Sequence, residues 1–156
     1  MDKQAVIDSY DKAAENIKGK LEELIDQYIK IKESGGANDI LDLKDKFVAL
    51  DYRIGNATVK ACNLAVTSDI ERREAYNLAF INARSDYEPP AKKPSIDDCE
   101  TKAWLETAEY VALQTQADSI HKNLKHFQSV CSNYITQLSQ RIKGLQSEMI
   151  NSHQSS

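Results

Sequence analysis

From Ile7 the apolar residues fall at Ile7, Tyr10, Ala14, Ile17, Leu21, Leu24, Tyr28 and Ile31, alternating steps of three and four without a miss. A repeat averaging 3.5 residues keeps one side of an α-helix turned towards a partner helix. It does not suit a β-strand, whose side chains alternate every second residue. Ser34-Gly35-Gly36 then stops the helix, because paired glycines favour chain reversal. After Asn38-Asp39, which has the form of an N-cap, the same spacing returns in Ile40, Leu43, Phe47, Leu50, Ile54, Ala57, Ala61 and Leu64. Gly55 and Asn56 weaken this second helix without disturbing the phase of its stripe. The two segments predict an antiparallel helical hairpin.

Ser68-Asp69-Ile70-Glu71 reads as a capping box, so either a third helix starts there or the second is re-phased; a third helix running to about Asp86 is the expectation. Glu88-Pro89-Pro90-Ala91-Lys92-Lys93-Pro94 breaks it, since proline removes backbone donors and extends the residue before it. Ser95 opens the last helix, with Asp97, Asp98 and Glu100 at the positive end of its dipole. Its stripe runs Ile96, Cys99, Ala103, Glu106, Tyr110, Leu113, Ala117, Ile120, Leu124, Phe127, Cys131, Tyr134, Leu138, Arg141 and Leu145. The spacing thus predicts one all-α domain with helices over 3–33, 39–67, 69–86 and 96–150 and a proline-rich loop over 88–94. The polar tail from Asn151 to Ser156 is expected to fray.

A helix of about fifty residues would be about 75 Å long, more than the shorter helices easily cover. Its seam residues Leu113, Ile120, Leu124, Phe127, Tyr134 and Leu138 are therefore expected to join copies of the chain in a homo-oligomer, although a bundle within one chain would also satisfy them. Glu106 and Arg141 interrupt that seam and would fix its register or mark where it leaves the core.

The composition suits long solvated helices: 28% of the 156 residues are charged, against 5 glycines and 3 prolines. The amino terminus carries no apolar run, and the longest uncharged stretch, Phe127 to Gln140, is too polar and too short for a bilayer. A soluble protein of the cytoplasm, without membrane contact, is the expectation. Cys62, Cys99 and Cys131 are odd in number and lack C-x-x-C spacing, so they read as free buried thiols, not as a disulfide framework or zinc site.

No phosphate-loop, dinucleotide, zinc-protease or nucleophile-elbow motif occurs, and paired carboxylates on straight heptad helices lack the cleft that shifts a pKa. No catalytic residue, metal ligand or cofactor is expected; His121 and His126, five apart, do not share a helix face. The net charge of −4 argues against a whole-surface attraction to nucleic acid, so any polyanion contact must be local. Arg72, Arg73 and Arg84 on the third predicted helix, and Lys92-Lys93 in the loop after it, lie near Tyr76 and Tyr87. Cations that neutralise phosphates beside aromatic faces that stack on bases are how single-strand binders are built. The plainer alternative is a solvated helix face with two core tyrosines.

Asn82-Ala83-Arg84-Ser85-Asp86-Tyr87 closing a helix, a variable loop, then Asp98, Glu100 and Lys102 opening a long helix that holds Cys131 and ends near Arg141 and Ile142, resembles the recombination mediators of T4-type phages, the UvsY family. The resemblance covers about residues 71–145. It implies a small helical protein that assembles into rings and binds single-stranded DNA. Such a protein helps load a strand-exchange recombinase onto DNA coated by single-strand-binding protein, using no nucleotide itself. In that family a Lys-x-Arg pair at the helix end is associated with DNA contact. Arg84 matches the arginine, whereas Asn82 stands where the lysine would be, leaving Lys92, Lys93, Arg72 or Arg73 to supply the charge. A second reading is a non-enzymatic interaction protein, such as a phage inhibitor or assembly adaptor, whose heptad faces grip another protein.

Overall fold

A computed structural model describes residues 2–154, and it is all-α. Among the described residues the elements are α1 (Lys3–Ile31), α2 (Ala37–Ser85), α3 (Ile96–Glu106) and α4 (Ala108–Gln154). They group into two compact units. One holds residues up to Ser9 with Lys60–His121; the other holds Tyr10–Val59 with the chain from Lys122 on.

The unit that begins at Tyr10 is built on the large residues of the predicted stripes. Ile17, Leu21 and Leu24 of α1, Ile40, Leu43, Phe47, Leu50 and Ile54 of α2, and Leu124, Cys131 and Leu138 of α4 are all buried. Phe47, fully enclosed, stacks on Tyr134 with ring centroids 5.3 Å apart and planes 9° from parallel; Tyr134 in turn meets Tyr28 edge-on at 5.0 Å. The Cys131 thiol donates to the Phe47 carbonyl at 3.2 Å, and burial pushes its pKa up to about 11. Three of the residues predicted to join copies of the chain are therefore occupied here: Leu124 and Leu138 are core, and Tyr134 fills the aromatic stack. Phe127, a fourth, is half-buried. A helix pair from the same chain covers the seam that length alone would leave open.

The turn between α1 and α2 explains its glycines. The Gly35 N–H donates to the Ile31 carbonyl at 2.8 Å, and a Cβ at Gly35 would lie 2.6 Å from that same oxygen. The Gly36 N–H donates to the Asp39 carboxylate at 3.1 Å, so the acid closes the first turn from within and α2 starts at Ala37, before the expected cap.

The other unit has a core of small side chains: Ala61, Ala65, Ser68, Ala79, Ala83, Cys99, Ala103, Thr107 and Ala117, with Ile7 and Ile120. Small residues at a helix contact let the axes approach, because interaxial distance follows side-chain size. Ile120, also predicted to join copies, is buried here, and Leu113 is half-buried. Two predicted boundaries are corrected in this unit. Ser68 does not cap a third helix: it is 7% exposed within α2, and Asp69 beside it binds Arg72 and Arg73. The last helix is divided at Thr107 (φ −104°, ψ 9°), whose hydroxyl and N–H both donate to the Ala103 carbonyl, at 2.7 and 3.1 Å. Threonine back-bonding of this kind bends helices. Ser95 does cap α3, accepting the Asp98 N–H at 3.1 Å. Of the predicted tail, Asn151 to Gln154 belong to α4, while Ser155 and Ser156 lie outside the described residues.

These cores set the cost of truncation. Phe47→Ala is expected to lower unfolding free energy by about 3–5 kcal/mol, as for other enclosed aromatics. Leu105→Ser, at a side chain 74% exposed, should stay within about 0.5 kcal/mol of the parent. Urea denaturation followed by circular dichroism checks both. With a thiol reagent, half-buried Cys62 should react first in the native protein, and Cys99 and Cys131 only on unfolding.

Candidate nucleic-acid interface

The basic residues singled out in the sequence separate into two groups. Arg84, on the last turn of α2, donates from its guanidinium to the Pro94 carbonyl, and this bond ties the proline loop back to the helix. Lys92 and Lys93 are exposed in that loop and, among the described residues, enter no ion pair with any carboxylate. The loop is anchored again where Lys102 of α3 meets Asp86 at 3.1 Å. The Asp86 carboxylate raises the Lys102 pKa above its ordinary value. Its internal turn closes through the Ala91 N–H to the Glu88 carbonyl at 2.9 Å. Arg84, Lys92 and Lys93 are thus brought to one tethered loop, with Tyr87 exposed at its start.

Arg72 and Arg73 are not part of that group, lying about three helical turns back along α2. Both hold Asp69, at 3.0 and 2.8 Å, and Gln114 of α4 donates to the same carboxylate at 3.1 Å. The Arg72 hydrogen bond, with the charge of Arg73 beside it, keeps the Asp69 pKa below its ordinary value. One carboxylate serves two guanidiniums, and Arg72 is half-buried, so it acts as a packing residue. The spacing Asp69 to Arg72 and Arg73, three and four residues on one helix, already signals the pairing.

One residue with interface character escapes the stripe pattern. Trp104, the sole tryptophan, is 50% exposed and packs at 4.9 Å from the half-buried Tyr76 ring. It lies just after the Ala103 position of the heptad stripe, so a reading that follows the stripe passes over it.

Among the described residues no group of three or more His, Cys, Asp or Glu side chains comes together as metal ligands, and no helix is long and apolar enough to cross a membrane. No protein-family model, curated protein or solved structure matches the chain.

The Asp69 cluster makes a pH-dependent contribution. A carboxylate whose pKa is depressed in the folded state stabilises the fold above its unfolded pKa, and that contribution is lost as pH falls through the folded value. Asp69→Asn should therefore be less stable than the parent at neutral pH and converge with it in acid. Paired thermal melts from pH 7 downward check this.

Proposed function

We propose that this protein binds single-stranded DNA and acts as a recombination mediator, helping a strand-exchange recombinase displace single-strand-binding protein. The observation that carries the reading is the tethering of the proline loop by Arg84, with Lys92 and Lys93 exposed in that loop and without an ion pair among the described residues, and an exposed tyrosine at its start. Two cations on a tethered loop can neutralise phosphates of a backbone, and aromatic faces accept any base. The resemblance of residues 71–145 to the T4-type mediators supports the same reading, with Lys92 and Lys93 standing in for the lysine that Asn82 replaces. Such a mediator is no enzyme. It holds the strand in an extended form and shifts the exchange by preferring one bound state over another.

A second reading, a protein–protein adaptor, is favoured by the apolar side chains left outside. On α2, Leu41, Val48, Tyr52 and Val59 of one unit, and Val66, Ile70 and Ile81 of the other, are exposed at spacings that keep each set on one helix face. Exposed apolar faces mark protein contacts. Self-association, which the ring-forming resemblance implies, would use such faces, because the α4 seam is largely buried within the chain.

Titration of labelled oligo-dT at two salt concentrations tests the first reading. Binding should weaken steeply with salt, and Lys92→Glu with Lys93→Glu should lower the slope of log K against log salt by about 0.7 for each phosphate that is no longer neutralised. Absence of binding at low salt would leave the adaptor. Light scattering tests self-association: an oligomer at micromolar concentration should become a monomer on Tyr52→Glu with Val59→Glu, at unchanged helicity. A monomeric parent would remove the oligomer from either reading.

A further inference from the structure

We infer that a cleft formed by the end of α1, the start of α2 and the later part of α4 is a binding site for a phosphate group. The cleft measures about 310 Å³ and has Ile40 and Leu138 among its walls, both buried. Its polar lining consists of Lys32, Arg141, Gln137, Gln140 and Tyr28, and none of its lining residues is acidic. In a chain of net charge −4 that lining is unusual, and it is rich in donors.

Three features give it the character of an anion site. Lys32 enters no ion pair among the described residues. The Arg141 Nε–H is buried without a hydrogen-bond partner, and the same guanidinium reaches its only carboxylate among the described residues, Glu148, at 3.9 Å, too long for a hydrogen bond. The side chain is otherwise partly exposed, so the guanidinium has donors open to the cleft that an oxyanion can take as a fork. Finally, the Tyr28 hydroxyl donates to Gln137 Oε1 at 2.8 Å, which fixes the amide with its carbonyl occupied and leaves its NH₂ as a donor. Carboxylates also accept from arginine, but a tetrahedral anion accepts from the ammonium, guanidinium and amide together.

The phosphate comes either from a nucleic-acid backbone or from free phosphate. The site does not depend on the proline loop. The test is a titration of the ¹⁵N-labelled full chain, following the Arg141 Nε–H resonance at constant ionic strength. The probes are inorganic phosphate and, separately, a short oligo-dT. A saturable shift with inorganic phosphate, about tenfold weaker in Lys32→Gln, is expected from the loss of one charge-assisted hydrogen bond. Lys32 is exposed at the end of α1, so its substitution leaves the fold intact. If oligo-dT moves the resonance at lower concentration than phosphate does, the backbone is the source; if phosphate alone moves it, free phosphate is. A resonance that responds to neither probe, or equally to chloride, overturns the inference. The Lys92→Glu, Lys93→Glu variant separates the two proposals: phosphate shifts Arg141 there even if DNA binding at the loop is abolished or never existed.

Discussion

The buried stripe of α2 is the constraint on which the rest depends, because it keeps its three-and-four spacing through the helix while its side chains change size. From Ile40 to Ile54 it presents Ile, Leu and Phe; from Ala61 it presents Ala61, Ala65, Ser68, Ala79 and Ala83. Large knobs need room between helices, whereas alanines let backbones approach, so one stripe serves two kinds of packing. The same change dictates what stays outside. Where the interior takes mostly small groups, Val66, Ile70, Leu78, Ile81, Trp104 and Leu105 stay outside. The unit built on large residues has a well-filled aromatic centre, and both units also carry large apolar side chains on the surface.

This division explains what is legible in the sequence. The stripes of Leu21, Leu24, Phe47, Leu50, Leu124 and Leu138 are readable because a large aliphatic or aromatic group every three or four residues has few other uses. The α2 stripe beyond Leu64 is not, since alanine and serine carry little hydrophobic weight, and a pattern of small residues looks like the end of a pattern. Ser68-Asp69-Ile70-Glu71 then offers a local explanation, a cap, for a gap that does not exist. Thr107 is hidden for the opposite reason: the break comes from a side chain bonding back to the Ala103 carbonyl, a choice that depends on its burial at 2% exposure. Of the candidate site, the grouping of Arg84 with the loop follows from the bond to the Pro94 carbonyl, which no residue pattern announces.

The arginines of α2 are satisfied in two different ways. On α2, Asp69 matches Arg72 and Arg73 from one turn away, and Lys3 of α1 is held by Glu71. An arginine half inside a helix contact without that match would carry the full cost of desolvating its charge, so the acid is required by burial and says nothing of a ligand. Arg84 is satisfied differently, by a backbone carbonyl that leaves its positive charge uncancelled. Its charge therefore adds to that of Lys92 and Lys93, whereas the charges of Arg72 and Arg73 are largely offset by Asp69.

The same criterion separates the cleft at Arg141 from an ordinary surface pair. An exposed arginine facing a glutamate across solvent contributes little either way, because water solvates whichever donors the acid leaves free. Arg141 differs because water does not reach its Nε–H, and the acid it meets is too distant to take a hydrogen bond. Arg72 also has a buried Nε–H without a partner, but there the terminal nitrogen binds Asp69 at 3.0 Å and the charge is answered. At Arg141 neither the charge nor the donor is well answered from within the chain, and Lys32 lines the same cleft. Two like charges lining one cleft repel each other, and an anion that joins them turns the arrangement favourable.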